Sequence, residues 1–171
     1  TLFDEMRKKG YTPQDMLDAG LIKSGKNGGY YDAFRNRLMF PVIDVRGSVI
    51  GFSGRILGDG EPKYLNTKDT SVFKKGLNLY ALNFAKNNKD GTVLLCEGYM
   101  DVISVYQAGV PNIVATLGTA LTENQAKLLM KYSGEIILCY DSDEAGQAVT
   151  KRGIEIINSI GGRCRVMKLK G

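Results

Sequence analysis

Three carboxylates, Glu97, Asp141 and Asp143, each come just after an apolar, β-rich run, and a single residue separates the last two. Acids gathered at one place repel one another unless something positive sits between them, and Mg²⁺, which takes oxygen ligands and retains waters, fits such a cluster. Gly98 directly follows Glu97 and Gly118 directly precedes Thr119, so the backbone at both points can turn tightly and approach a bulky ligand. Asp101, four residues after Glu97, can share its face at the start of a helix, where capping or a salt bridge is an equal reading. Other chemistries are excluded by composition. The chain has no histidine, which removes every imidazole-based general base and every Ser-His or Cys-His pair. Cys96, Cys139 and Cys164 stand far apart in apolar runs with no C-x-x-C pair, so they build no zinc site and read as buried thiols of a reducing compartment.

The elements that must position these acids are legible in the second half. Apolar runs at 92–96, 112–116, 135–140 and 163–169 alternate with stretches of 15, 18 and 22 residues, each long enough for a helical crossover. The pattern is βαβαβαβ, hence a parallel α/β sheet, in which ligands bind beyond the carboxyl ends of the strands. Glu97 and the Asp141/Asp143 pair sit at two of those ends, and they converge if the first and third strands are neighbours. Gly109 ends a helix over 99–108, and Thr122 with Gln125 forms a capping box. The third helix is expected to be capped by Ser142, to carry Asp143 and Glu144 in its first turn and to end at Gly161. Ala145, Val149, Gly153, Ile156 and Ile160 should form its packed face.

The first half is more irregular. It reads as short helices over 1–9 and 12–19, a Gly/Lys loop over 23–29, two strands over 37–44 and 48–53 joined across 44–47, and a helix over 77–86. The polar stretch 87–91 is the expected boundary, dividing a smaller mixed α+β basic subdomain over 1–88 from a parallel-sheet, Rossmann-like subdomain over 89–171. Charge follows the same division: residues 1–90 hold 15 Lys and Arg against 10 Asp and Glu, whereas residues 91–171 hold 8 against 8. All of the net +5 therefore lies in the first half, which fits a polyanion partner and a merely solvated surface equally well. No apolar run reaches the roughly 18 residues of a membrane span, and no signal peptide opens the chain, so a cytoplasmic protein with no membrane partner is expected.

Glu97-Gly98-Tyr99-Met100-Asp101, then Leu117-Gly118-Thr119, then Asp141-Ser142-Asp143 with Ala145-Gly146, resemble the toprim domain shared by bacterial primases, topoisomerases and some nucleases. The stretch from Tyr31 to Pro41, then Gly51 to Arg55, Pro62-Lys63-Tyr64-Leu65-Asn66 and Phe73-Lys74-Lys75-Gly76, is similar to the region that precedes toprim in bacterial DNA primases. Together these cover nearly the whole chain. The resemblance implies a DNA-directed RNA polymerase that makes short RNA primers. Glu97, Asp141 and Asp143 would hold Mg²⁺, with Mn²⁺ able to substitute, and Glu97 could also serve in proton transfer. Arg55, Lys63, Lys74 and Lys75, with Asn66, would line a groove beside the metals and hold template and nucleotide phosphates. Gly98, Tyr99, Asp101, Gly118 and Thr119 complete the implied nucleotide-binding set. Arg35 and Arg37 are lesser candidates, since arginines beside a Met-Phe-Pro strand can simply cover its exposed face.

The same resemblance implies a single-stranded DNA template, ribonucleoside triphosphates and a replicative helicase as partners. Family members carry a zinc-binding domain before this region and a helicase-binding domain after the core. The chain stops at Lys168-Leu169-Lys170-Gly171, where the family continues into a further Asp-Pro-Asp-like stretch. A monomeric fragment with an incomplete metal site, inactive or weakly active by itself, is therefore expected. Three rivals remain open at this point: a haloacid-dehalogenase-type phosphatase, disfavoured because Ala145 stands where that family places Thr; a topoisomerase or nuclease, the former lacking a recognisable strand-cleaving tyrosine; and a non-catalytic nucleotide or single-stranded-DNA binding module.

Overall fold

A computed structural model describes residues 1–167. The described chain divides into two compact units, one of residues 1–42 and 49–74 and one of residues 43–48 and the described residues from 75 onward.

In the first unit, Thr1 and Thr12 each open a short helix, α1 (Leu2–Lys8) and α2 (Pro13–Asp18), through reciprocal capping boxes with Asp4 and Asp15. The expected Gly/Lys loop is the turn of an antiparallel hairpin, β1 (Ile22–Ser24) with β2 (Tyr30–Asp32), and only its first two residues, Lys23 and Ser24, are strand instead. Asp32 then accepts the free N–H groups of Leu2 and Phe3 at 2.8 and 3.0 Å, tying the hairpin to the start of α1. Strands β3 (Arg37–Ile43) and β4 (Val49–Ile56) meet across the expected turn, where Gly47 takes φ +95° and the Asp44 N–H donates to the Ser48 carbonyl at 2.9 Å. A third strand that the sequence reading passed over, β5 (Tyr64–Asn66), pairs antiparallel with β4. Met16, Ile22, Phe40, Val42 and Phe73 form the buried apolar set of this unit.

The second unit is built on four parallel strands, β6 (Thr92–Cys96), β7 (Ile113–Ala115), β8 (Glu135–Leu138) and β9 (Cys164–Val166), in the order β7-β6-β8-β9. The strand expected over 163–169 is thus shorter, and residues 168 and 169, like the rest of the terminal Lys-Leu-Lys-Gly, lie outside the described residues. Crossover helices α4 (Tyr99–Gln107), α5 (Glu123–Met130) and α6 (Glu144–Ser159) connect the strands. Leu95, Leu129, Ile136, Leu138 and Ile157 are fully buried in the core.

The helix expected over 77–86 is a correction. A 3₁₀ turn (Lys75–Leu77) comes first, Tyr80 then pairs as an extended residue with Ala115 of β7, and only α3 (Leu82–Ala85) is α-helical. Ala81, at φ +65°, makes the change of direction that the Tyr80 bridge imposes. These residues belong with the second unit because buried Gln125 donates from Nε2 to the carbonyls of Lys75 (2.9 Å) and Asn78 (2.7 Å). The compact division therefore runs at Lys74/Lys75, ahead of the boundary read from composition at residue 88.

Candidate functional site

The acids of the second unit are placed by strand order. β6 pairs directly with β8, Leu95 beside Leu138, and the Cys139 N–H extends the ladder by donating to the Leu95 carbonyl at 2.8 Å. Glu97 and Asp141 thus leave neighbouring parallel strands at the same end, the arrangement on which convergence depended.

Their electrostatics follow from that placement. The Glu97 carboxyl is pushed above its ordinary range first by partial burial and then by the negative charges of Asp141, Asp143 and Asp101, while the Asp141 backbone N–H pulls the other way. Among the described residues, no lysine or arginine is ion-paired with Glu97, Asp141 or Asp143. Nor, among them, are three Asp, Glu or Cys side chains grouped closely enough to hold a metal ion as they stand. One cause is visible: Asp143 Oδ1 is turned onto the Gly146 N–H at 2.7 Å. Asp143, not Ser142, is therefore the N-cap of α6, and Ser142 instead offers its carbonyl to Gln147 Nε2 at 2.8 Å. The expected packed face holds at Gly153, which is buried, and at Val149, Ile156 and Ile160, which pack against the core; only Ala145 is exposed, while Gly146 and Ile157 are buried in addition.

The donor chemistry nonetheless fits a hard divalent cation: oxygen-only ligands with their negative charge uncompensated, beside an orphaned polar atom. That atom is the buried Tyr140 hydroxyl, which has no hydrogen-bond partner among the described residues. Tyr140, Asp141 and Ser142 line a cleft of about 430 Å³ together with Gln147, Thr150 and Lys151. Sequence reading missed these last three; their signal was the helical spacing 143, 147, 150–151 along α6.

Around Glu97 two of the expected nucleotide-binding residues have structural contacts of their own. The Asp101 carboxylate accepts the Gly98 N–H at 3.1 Å and completes the N-terminal cap of α4. Tyr99 is only 4% exposed, its ring edge-on to Tyr80 at 4.8 Å, so packing withdraws that ring from a ligand. Gly118 takes φ +72° and, with Thr119, remains exposed at the end of β7. Of the thiols only Cys96 is buried, its ionisation pushed up to about 12 by that burial, while Cys139 and Cys164 are half-buried, a correction to the uniform burial expected.

In the first unit, the β4/β5 register sets Arg55 opposite Tyr64, with the guanidinium 5.7 Å from the ring centre, and Ser53 opposite Asn66. The period of two puts Arg55, Tyr64 and Asn66 on one face of the sheet. Lys63 and Lys74 are exposed, whereas Lys75, which falls in the second unit, is half-buried. Arg37 is committed elsewhere: its Nη1 donates to the carbonyls of Gly54 (3.0 Å) and Pro62 (2.9 Å), stitching β3 to the loop before β5.

Two family models match successive parts of the chain. Residues 1–86 match the family described as DNA primase catalytic core, N-terminal domain, and residues 94–171 match a Toprim-like family. The chain belongs to the DNA primase family. It is 53% identical to the DNA primase of Clostridium acetobutylicum over 169 residues, 98% of this chain but 28% of that protein. Its fold matches the Escherichia coli primase catalytic core with a TM-score of 0.87 at 42% identity, covering 94% of this chain and 54% of that one. The RNA polymerase domain of Mycobacterium tuberculosis primase DnaG in complex with double-stranded DNA gives 0.88 at 31% identity, covering 99% and 56%. The chain thus spans little more than a quarter of the curated relative and about half of the solved chains. Among the described residues, no helix is long and apolar enough to cross a membrane.

Proposed function

We propose that the chain forms part of the catalytic core of a DNA-directed RNA polymerase that makes short RNA primers on single-stranded DNA, with Glu97, Asp141 and Asp143 as its metal-holding acids. The observation that carries this reading is the direct pairing of β6 with β8, which brings Glu97 and Asp141 to one end of one sheet with no basic partner among the described residues. The chemistry that Mg²⁺, or Mn²⁺ in its stead, supplies when bound there is activation of a 3′ hydroxyl and neutralisation of charge on the triphosphate.

The chain's own residues supply the rest. Glu97, whose carboxyl holds a proton more readily than an ordinary glutamate, can accept one at its carboxylate oxygen. The backbone at Gly98, Gly118 and Thr119 lets a triphosphate come close. Arg55, Lys63, Lys74 and Lys75, with Asn66, hold template and nucleotide phosphates. Tyr99 and Asp101 act behind these, one by packing and the other by capping. The partners implied are a single-stranded DNA template, ribonucleoside triphosphates and the replicative helicase, at a cytoplasmic replication fork.

The test is paired. Asp141→Asn should weaken Mn²⁺ binding in calorimetry with the melting curve unchanged, and should lower ribonucleotide incorporation on single-stranded DNA by protein carrying this chain. Unchanged Mn²⁺ affinity in both Asp141→Asn and Glu97→Gln would refute the assignment of the acids.

A further inference from the structure

The β1–β2 hairpin has no part in the site described above. Its register sets Lys23 opposite Tyr31. Both line a cavity of about 440 Å³ that lies wholly within the first unit and is bounded also by Asp18, Ser24, Phe34 and Lys68. That volume falls within the roughly 300–1,000 Å³ of ordinary ligand pockets.

Three properties of the cavity narrow its ligand. Tyr31 and Phe34 give it aromatic walls, and the Arg35 guanidinium sits 5.0 Å from the Tyr31 ring centre. Lys23, although half-buried, and Lys68 have no ion-pair partner among the described residues. Asp18 and Asp69 line the same cavity, but Asp18 Oδ1 accepts from Gln14 Nε2 at 2.8 Å and Asp69 is engaged by a partner of its own rather than by Lys23 or Lys68. Lys26 adds a further cation at the hairpin turn, while Asp32, the hairpin's one acid, is spent on the N-terminus of α1. Finally, the Ser24 hydroxyl and the Asp18 carboxylate offer hydrogen-bonding groups to a polar edge. A bare phosphate has no use for the rings, and a wholly apolar ligand would leave the lysines uncompensated. A nucleotide uses all three: a ring face to stack, a base edge to bond and phosphates to neutralise.

We propose that this cavity binds a nucleotide unit, its base against Tyr31 and Phe34 and its phosphates toward Lys23, Lys26 and Lys68. The unit can come from a single strand or from a free nucleoside triphosphate; the shared chemistry is the same. The inference rests on the reading of the chain as a nucleic-acid enzyme; of the residues assigned to that function, Asn66 also lines the cavity, whereas Lys23, Lys26, Tyr31, Phe34 and Lys68 lie outside that set.

The experiment titrates the whole chain with two probes, a 2-aminopurine-labelled oligodeoxynucleotide and a fluorescent ATP analogue, across Tyr31→Leu, Tyr31→Phe and the pair Lys23→Gln/Lys68→Gln. Tyr31→Leu should weaken binding of the probe the cavity takes by about tenfold, and Tyr31→Phe should preserve it. The lysine pair should reduce the dependence of log K on log salt by roughly two units. Loss confined to the oligonucleotide identifies a strand as the source, and loss confined to the triphosphate identifies the free nucleotide; either supports the pocket. If both probes bind Tyr31→Leu and the lysine pair as they bind the parent chain, the pocket is refuted. Should Tyr31→Leu fail to fold, the lysine pair alone decides. Arg55→Ala/Lys63→Ala run in parallel separates the two readings, because weakened binding there with intact binding in the hairpin variants leaves the proposed function standing and removes only the pocket.

Discussion

Gly146 packs so tightly under Asp141 that a Cβ added to it would lie 2.1 Å from the Asp141 carbonyl oxygen and 2.7 Å from its carbonyl carbon. Both atoms are backbone, so no side-chain rotation relieves the clash, and the loop bearing the two aspartates must move. Alanine is the better helix former by about 1 kcal/mol, yet Gly146→Ala is expected to destabilise the fold by ~1–3 kcal/mol. It should weaken Mn²⁺ binding at the same time. Urea denaturation and Mn²⁺ titration of the one variant check both effects, and a stabilised variant would contradict the packing argument.

Asp143 has two duties that a pair of substitutions can separate. Its Oδ1 caps α6 through the Gly146 N–H, and its charge belongs to the proposed metal site. Asparagine caps about as well as aspartate, whereas alanine does not, so Asp143→Ala should cost about 1 kcal/mol while Asp143→Asn melts close to the parent chain. Both should bind Mn²⁺ more weakly. If Asp143→Asn keeps full Mn²⁺ affinity, Asp143 is a cap and nothing more.

What the sequence disclosed and what it hid divide along a physical line. The parallel sheet, its crossover helices and the acids at its strand ends were legible because β-rich runs, capping boxes and crossover lengths are local signals. Strand β5 was hidden: three residues, Tyr64–Asn66, carry too short a period to read, and only pairing with β4 makes them a strand. The length of α3 was hidden too, since the extended pairing of Tyr80 with Ala115 is a contact across the chain that overrides the helical propensity of 77–86. At the site, residue types pointed to Glu97, Asp141 and Asp143, but pattern could not say that Asp101 is spent on the Gly98 N–H, that Tyr99 is buried against Tyr80 or that Arg37 is bound to carbonyls. Those roles depend on which neighbour the fold supplies.

The acids around Glu97 make stability depend on pH with a definite sign. Because the folded-state value of Glu97 is raised above the ordinary 4.5, first by burial and then by Asp141, Asp143 and Asp101, the folded chain prefers the protonated form. Stability is therefore undiminished below 4.5, falls as pH rises from there through the folded value, and stays lower above it. Glu97→Gln should melt like the parent chain at pH 4 and at a higher temperature at pH 7. Since Glu97 is largely exposed and solvent screens its neighbours, the gain should be below ~1 kcal/mol and should shrink in high salt. Melting curves at the two pH values without metal are the measurement, and equal melting temperatures at pH 7 would remove the repulsion argument.

The basic residues of the first half carry the remaining prediction. Arg55 lies on β4, stacked on the Tyr64 ring, and Lys63 is exposed immediately before β5. Phosphate contacts release counterions, so each cation lost from a single-strand site should lower the dependence of log K on log salt by roughly one unit. Arg55→Ala/Lys63→Ala is expected to lower that slope by about two units and to weaken oligonucleotide binding regardless of base sequence, since phosphates carry no sequence information. Lys8 and Lys127 supply the control: each is paired within its own helix, to Glu5 and to Glu123, so Lys8→Ala/Lys127→Ala removes the same formal charge without touching the proposed contacts. Fluorescence anisotropy of a labelled single strand across a salt series distinguishes the two double variants. A smaller slope in both would reduce the effect to net charge, whereas a smaller slope in Arg55→Ala/Lys63→Ala alone assigns the phosphates to that edge of β4 and β5.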